Sequence, residues 1–252
     1  MSIKSSWEWF GDALGATPIH PQFFAKRYAT KARAIAIDRS FGVVADVGSG
    51  RAPYRHAIEA KSNVTKYITI DHPEATEFYD KDYPLDIKAD ISETIPMADK
   101  SVDTAVLLMV MEHLPQPSAA LAELYRILKP GGVIILSTVM THPVHDAPFD
   151  FYRYTRFGIE RLLKDNGLSI IQQGWEGAFI ATAVTVINTS IFQQLKAITR
   201  TKWLMPVGLL IGIVVWPMTI ILNLLALIVS PFDGLHQLPH TVWAVAKRPG
   251  KN

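Results

Sequence analysis

An α/β fold is what this sequence predicts: a mostly parallel sheet with helices on both faces. Three observations predict it. Short apolar runs alternate with segments of helical period along most of the chain. The first apolar run ends in a glycine turn, and the next ends in an acid. The chain has 252 residues, of which 49% are hydrophobic and 19% charged, enough to bury a substantial core without covalent staples.

The elements follow in order. Phe41–Val47 (FGVVADV) reads as a first buried strand ending in a turn, and Pro53 lies where the first turn of a helix tolerates proline. Lys66–Asp71 (KYITID) is a second strand, Leu85–Lys88 a short third and Val102–Met109 a fourth. Leu121, Leu124, Tyr125 and Leu128 recur at helical spacing, so Ser118–Leu128 is expected to be a helix, stopped by Lys129-Pro130-Gly131-Gly132. Val133–Val139 is a fifth strand. Thr155 reads as an N-cap for a helix with Ile159, Leu162 and Leu163 on its apolar face. Leu168–Gln173 and Thr241–Lys247 complete seven strands. In such sheets ligands bind beyond the carboxyl ends of the strands.

Composition excludes several classes. There is no cysteine, hence no disulfide, thiol nucleophile or thiolate metal site. A net charge of +2 is too small to argue for nucleic acid as a partner. Met1–Ser40 lacks the apolar stretch of a signal peptide, which places the catalytic part in the cytoplasm. Trp7, Trp9, Phe10, Phe23, Phe24 and Tyr28 are expected on short amphipathic helices forming an N-terminal lid over 1–40, either packed on the domain or acting as a flap.

The glycine turn is Asp46-Val47-Gly48-Ser49-Gly50, where glycines allow a tight turn and close approach to a ligand. Asp71 follows Gly50 by 21 residues, placed either to accept both hydroxyls of a ribose or to cap a turn. The sixth position of a dinucleotide loop is filled by Pro53, and no Lys-Ser/Thr ends a phosphate loop. Pyrophosphate therefore fits poorly and an adenosine without phosphates fits better.

These residues resemble the class I S-adenosylmethionine-dependent methyltransferases over much of Val43–Gly132 and again in the last strand. VVADVGSG resembles the first motif and YITID the second; ADISETIPMADKSVDTAV, LLMVMEHL and LKPGGVIILST resemble the regions around strands three, four and five. Ala52 departs from the pattern, since many members carry a third glycine there. The resemblance implies a Rossmann-like sheet whose last strand, TVWAVAKRP, runs antiparallel between strands five and six. It implies S-adenosyl-L-methionine as cofactor, held by Asp46, Gly48, Ser49, Gly50, Asp71 and Met109, with Asp90 bonding the adenine amino group and Ile91 packing on the ring. Methyl transfer of this kind needs in-line positioning and, for an oxygen nucleophile, a general base.

His113, just past strand four, is one candidate base; Glu112 beside it helps shape the pocket. The loop Thr141–Thr155 (THPVHDAPFDFYRYT) supplies His145 and Asp146 as others, with Tyr152 and Arg153 to bind the acceptor. The alternative is that Tyr152, Arg153 and Tyr154 merely anchor the next helix. The loop's histidines and aspartates have loop spacings, so no metal is expected. The P-x-D-x-Y-R-Y-T pattern resembles a subgroup associated with bacterial cell-surface saccharide and lipid-linked glycan pathways.

The mean hydropathy is slightly apolar, at +0.16. Its source is an insertion, 174–240, into a catalytic domain formed by 41–173 and 241–252. Trp203–Phe232 contains thirty residues without a charge, and Gly177–Leu195 is also charge-free. A single membrane crossing would part the seventh strand from its sheet. Two crossings would export Lys196, Arg200 and Lys202, against the positive-inside tendency; Pro206 and Pro217 also interrupt the second run. The preferred expectation is a hairpin dipping into one leaflet on the cytoplasmic face, with the three cations at the headgroups. The alternatives are two spans, or helices buried as core or against a second copy in a homo-oligomer. Function is accordingly expected to be methylation of a membrane-embedded or lipid-linked acceptor, foremost O-methylation of a saccharide. Methylation of a quinone or polyprenyl ring and a non-catalytic membrane-attached scaffold are the alternatives.

Overall fold

A computed structural model describes residues 14–15, 17–74, 85–234 and 237–250; Trp7, Trp9 and Phe10, expected in the lid, lie outside the described residues. The chain divides into two compact units. One takes Lys31–Met140, Val144–Trp175 and the chain from Val242 onward. The other takes the described residues up to Thr30, Thr141–Pro143 and Glu176–Thr241. The boundary near the N-terminus thus falls at 30/31, so the first helical residues group with the insertion.

The larger unit is built on a sheet of seven strands: β1 (Gly42–Val47), β2 (Val64–Asp71), β3 (Ile87–Lys88), β4 (Val102–Leu108), β5 (Leu128–Val139), β6 (Ser169–Glu176) and β7 (Thr241–Lys247). The order is β3-β2-β1-β4-β5-β7-β6. The pairs β1–β2, β1–β4, β2–β3 and β4–β5 are parallel. β7 runs antiparallel to β5: Gly131 N–H donates to Arg248 O at 2.9 Å, and Arg248 N–H to Gly132 O at 2.9 Å. The chain leaves β1 toward β2 on one side and meets β4 on the other. That reversal opens a crevice at the carboxyl ends of β1 and β4.

Side chains alternate across the sheet as the strand period requires. Ala45, Leu107, Ile134, Leu136 and Ala244 face one core, with Leu121 and Leu124 of α4 (Pro117–Ile127) and Ile159 and Leu163 of α5 (Arg156–Asp165). Val44, Val106, Ile135 and Val245 face the other, with Ala36 of α2 (Thr30–Arg39) and Ile58 of α3 (Arg55–Glu59). Thr155 caps α5 as expected, its Oγ1 accepting from Gly158 N–H at 3.1 Å.

Two elements differ from expectation. Lys129-Pro130-Gly131-Gly132 does not separate a helix from β5; it lies inside β5. The pairing runs Val102↔Leu128 and then Thr104↔Val133, so the extra residues bulge out, with Gly131 at φ 86. β6 reaches Glu176 rather than ending at Gln173, because Gly174 packs flat against Trp243: a Cβ there would lie 2.5 Å from its ring.

The smaller unit is a helical hairpin. α6 (Phe179–Arg200) and α7 (Met205–Val229) pack together, and Phe23 and Phe24 of α1 (Phe23–Arg27) join Ala181, Val184 and Ala226 in a small core. Pro206 opens α7 rather than breaking it, and the helix continues through Pro217, which forgoes one N–H bond.

Candidate functional site

The turn after β1 is shaped by backbone no ordinary side chain favours. Gly48 has φ 65, Gly50 φ 51 and Ala52 φ 44, all left-handed. A Cβ on Gly48 would meet Val110 Cγ2 at 2.4 Å, so the turn is closed against the end of β4. Ala52 holds the conformation a third glycine would take, which reconciles the departure noted in the sequence. Gly48 and Ser49 N–H both donate to Ile70 O, at 2.8 and 3.2 Å, stitching the turn to β2.

Asp71 ends β2 beside this turn. Its Oδ2 accepts from Gly50 N–H at 2.9 Å and its Oδ1 from His72 N–H at 2.8 Å. Burial raises its pKa, and these two donors and His72 oppose the rise. His72 Nε2 lies 3.8 Å from Asp90 Oδ2, and Asp90 Oδ1 accepts from Ser92 N–H at 2.8 Å. The fold therefore brings Gly50, Asp71, His72 and Asp90 into one chain of contacts at the strand ends. Ile91 is buried among the apolar side chains of the larger core.

Asp46 stands slightly apart. It is 2% exposed, and its Oδ2 accepts from the hydroxyl of Tyr67 on β2. Burial pushes its carboxyl up to about 6, against the pull of Tyr67 and with a smaller contribution from Asp71.

The site accommodates S-adenosylmethionine in kind. The left-handed Gly48–Gly50 turn lets backbone come close to a ligand, and Ser49 Oγ is buried without a hydrogen-bond partner, a donor awaiting an acceptor. Two carboxylates, Asp71 and Asp90, are acceptors of the kind a nucleoside's hydroxyl and amino groups require.

At the end of β4, Met109 takes φ 60 while its N–H still donates to Ser137 O at 2.9 Å. The next residues form a 3-10 turn, Met111–His113. Glu112 is fully buried; its Oε2 accepts from Thr138 Oγ1 at 2.8 Å, and its Oε1 has no hydrogen-bond partner. Burial raises its pKa. Its backbone carbonyl accepts from Phe151 and Tyr152 N–H at 2.9 and 3.2 Å, which fastens the loop after β5 to the turn after β4.

That loop brings His145 to His113: the rings meet edge to face, centroids 4.9 Å apart. Asp150, which sequence reasoning did not single out, organises it. Its carboxylate is paired with both outer nitrogens of Arg153, at 2.6 and 2.8 Å, and its Oδ2 accepts from His145 N–H at 2.9 Å. Arg153 above all, then His145, holds the Asp150 carboxyl well below the usual carboxylate range, and Asp150 raises Arg153 in turn. Arg153 thus meets an acid of its own loop. The Tyr152 hydroxyl donates to Pro115 O at 3.1 Å. Asp146 is exposed at φ 50. The spacing of Asp150 and Arg153 in the P-x-D-x-Y-R-Y-T pattern was the signal for this pair, but nothing local linked it to His145.

Comparison with known proteins agrees with this geometry. Residues 45–136 match the family described as "Methyltransferase domain". An uncharacterized methyltransferase of Mycobacterium leprae is 32% identical over 144 residues, covering 51% of this chain and 52% of that protein. A ubiquinone biosynthesis O-methyltransferase of Pseudomonas savastanoi is 35% identical over 54 residues, covering 21% and 22%. The chain thus spans about half the length of the first relative and less of the second. A solved structure of a SAM-dependent methyltransferase from Archaeoglobus fulgidus superposes with a TM-score of 0.54 at 13% identity, covering 96% of this chain and 99% of that one. Residues 45–136 therefore match a methyltransferase domain, and the chain has the Rossmann-like fold of a SAM-dependent methyltransferase.

Proposed function

We propose that this chain transfers a methyl group from S-adenosylmethionine to an oxygen of a membrane-embedded or lipid-linked acceptor. The bound cofactor supplies an electrophilic methyl on a sulfonium. The Gly48–Gly50 turn, Asp71 and Asp90 hold its nucleoside end. The turn after β4 and the loop after β5 form the acceptor side, where His113 or His145 takes the hydroxyl proton as methyl transfer proceeds.

The observation that carries the membrane half of the reading is the hairpin's reversed pattern. A helix of a water-soluble protein buries Leu and Ile and exposes polar residues. Here the buried seam is mostly small and polar: Ala181, Thr182, Thr185, Asn188 and Thr189 on α6, with Val184 the one larger aliphatic, and Gly208, Thr219, Asn223 and Ala226 on α7. Asn188 Nδ2 donates to Asn223 Oδ1 at 3.1 Å, and Asn223 Nδ2 to Pro18 O and His20 O at 2.9 and 3.0 Å. The outward residues are Leu210 (66% exposed), Ile213 (70%), Leu225 and Ile228. Small, polar seams with apolar exteriors are how helices pack in lipid. Trp203, 77% exposed, lies beside Lys202 near Lys196 and Arg200, a grouping suited to a headgroup layer. α7 with the turn after it is also long and apolar enough to cross a membrane; the seam supports either an embedded or a spanning hairpin.

Cofactor binding tests the first half. Titration with S-adenosylhomocysteine in a calorimeter should show binding by the wild type and loss of more than about tenfold in affinity in Asp71→Ala, since a charged ribose contact is worth roughly 1.5–3 kcal/mol. No heat with the wild type would overturn the reading; binding without turnover on any lipid extract would leave the scaffold alternative. Labelled methyl recovered in fractionated lipids separates a saccharide from a quinone ring, the acceptor class that the Pseudomonas relative's name suggests.

Carbonate washing tests the second half. The protein should stay with membranes, and the triple variant Leu210→Glu, Ile213→Glu, Ile228→Glu should be released, since each charge on a lipid-facing position costs about 2.5 kcal/mol or more. Release of the wild type by salt alone would overturn it.

A further inference from the structure

We propose that Glu112, His113 and His145 form a binding site for a divalent transition-metal cation, with Asp150 and the Phe149 carbonyl orienting its two histidines. Thr138 and the backbone fix the Glu112 carboxylate from below.

A carboxylate oxygen of Glu112 and one ring nitrogen each of His113 and His145 lie within 4.8 Å of one another. These residues come from two loops that the Glu112 carbonyl already binds together. The loop after β5 alone lacks metal-ligand spacing; the fold composes a different set, adding two residues from the turn after β4.

Each ring has an oxygen beside its Nδ1. His113 Nδ1 faces the Phe149 carbonyl oxygen at 2.5 Å, and His145 Nδ1 faces Asp150 Oδ2 at 3.3 Å. Neither oxygen can donate, so a ring that bound a cation through Nε2 would have a ready acceptor for its Nδ1–H. A carbonyl or carboxylate on the far ring nitrogen is the usual support behind a metal-bound histidine. The third ligand is the fully buried Glu112, whose Oε1 has no hydrogen-bond partner. An unsatisfied buried carboxylate oxygen costs stability, and a cation would satisfy it. The charge of Arg153 is opposed by Asp150, at 2.6 Å.

Two imidazoles and one carboxylate suit zinc or another first-row transition metal rather than magnesium, and three protein ligands leave a position open. Bonds of about 2.0–2.1 Å need ligand atoms roughly 3–3.5 Å apart, so binding the cation would draw together any of the three that lie farther apart. With both histidines ligating, the cation would replace them in activating the acceptor: an acceptor hydroxyl in the open position would have its pKa lowered and would lose its proton to solvent water. That consequence rests on the methyltransferase reading; binding of the cation does not.

The test uses the tag-free full chain, stripped with chelator and then titrated with Zn²⁺ by calorimetry. The expected result is one cation bound per chain, with affinity lowered on the order of a hundredfold in Glu112→Gln and His145→Ala, and about tenfold in the orienting variant Asp150→Asn. His142→Ala, outside the set, should bind as the wild type does, and Mg²⁺ should not compete. Visible absorption of the Co²⁺-loaded wild type, sensitive to nitrogen ligation, gives a readout that needs no variant. Absence of stoichiometric Zn²⁺ binding by the wild type, or binding unchanged in Glu112→Gln and His145→Ala, would overturn the site. S-adenosylhomocysteine titration of the same samples reports on the methyltransferase reading separately.

Discussion

Gly48→Ala should cost the protein roughly 2–5 kcal/mol and abolish cofactor binding. Two separate strains combine. The residue sits at φ 65, where a Cβ costs about 1 kcal/mol or more. The new methyl group would also lie 2.4 Å from Val110 Cγ2, and overpacking of that sort costs about 1–3 kcal/mol. The turn cannot relax by drifting away, because Gly48 and Ser49 are tied to Ile70 O. A double-mutant cycle with Val110→Ala separates the terms. Removing the valine methyls should recover the packing loss and leave the backbone loss, giving a favourable coupling of about 1–3 kcal/mol. Denaturant unfolding of the four proteins measures it. Additive losses would mean that the turn and β4 are not in contact.

Asp46→Asn should stabilise the protein at neutral pH, on the order of 3 kcal/mol, with the gain vanishing in acid. Asp46 binds its proton more tightly in the folded chain, up to about 6 against an ordinary 3.8. Its contribution to folding is therefore fully present below about pH 4 and lost as pH rises through about 6. Asparagine keeps the acceptor for Tyr67 and cannot ionise. Any fixed cost of the amide acts equally at all pH values, so the slope is the readout. The difference in unfolding free energy between variant and wild type should grow from pH 4 to pH 7 by that amount, since each pKa unit corresponds to about 1.36 kcal/mol. A difference independent of pH would show that the carboxylate is solvated in the folded state.

Local periodicity made much of the sheet legible in advance. β7 keeps its expected bounds, Thr241–Lys247, because six of its seven residues are buried between two strands and read as an apolar run. The 21 residues between Gly50 and Asp71 predicted an acid beside the turn, and the two are joined by a hydrogen bond. Proline and glycine misled twice. At Pro130 the bulge in β5 absorbs the irregularity, and at Pro217 the helix loses one bond without ending. Propensity yields there to packing across the whole element. The Asp150–Arg153–His145 cluster and its approach to Glu112 were not legible. They depend on how two loops 30 or more residues apart in sequence fold over one another, and no period or spacing in a loop encodes that. The pairing of Asp46 with Tyr67 was hidden for the same reason: the partner lies on a neighbouring strand whose register sequence alone does not set.

The hairpin seam reverses the ordinary dependence of stability on solvent. In most proteins water drives closure, because closure hides oily surface. Closing α6 on α7 hides mostly Thr, Asn, Gly and Ala, with Val184 the one larger aliphatic, so water gains less by it and competes for the Asn188–Asn223 bond. Surrounded by hydrocarbon, the same amides have fewer other partners to turn to. The seam should then zip most firmly where a water-soluble helix pair would come apart. Detergent or lipid would act on this part of the molecule as a folding agent, with amide hydrogen exchange along Ala181–Thr189 slowing as bilayer is added.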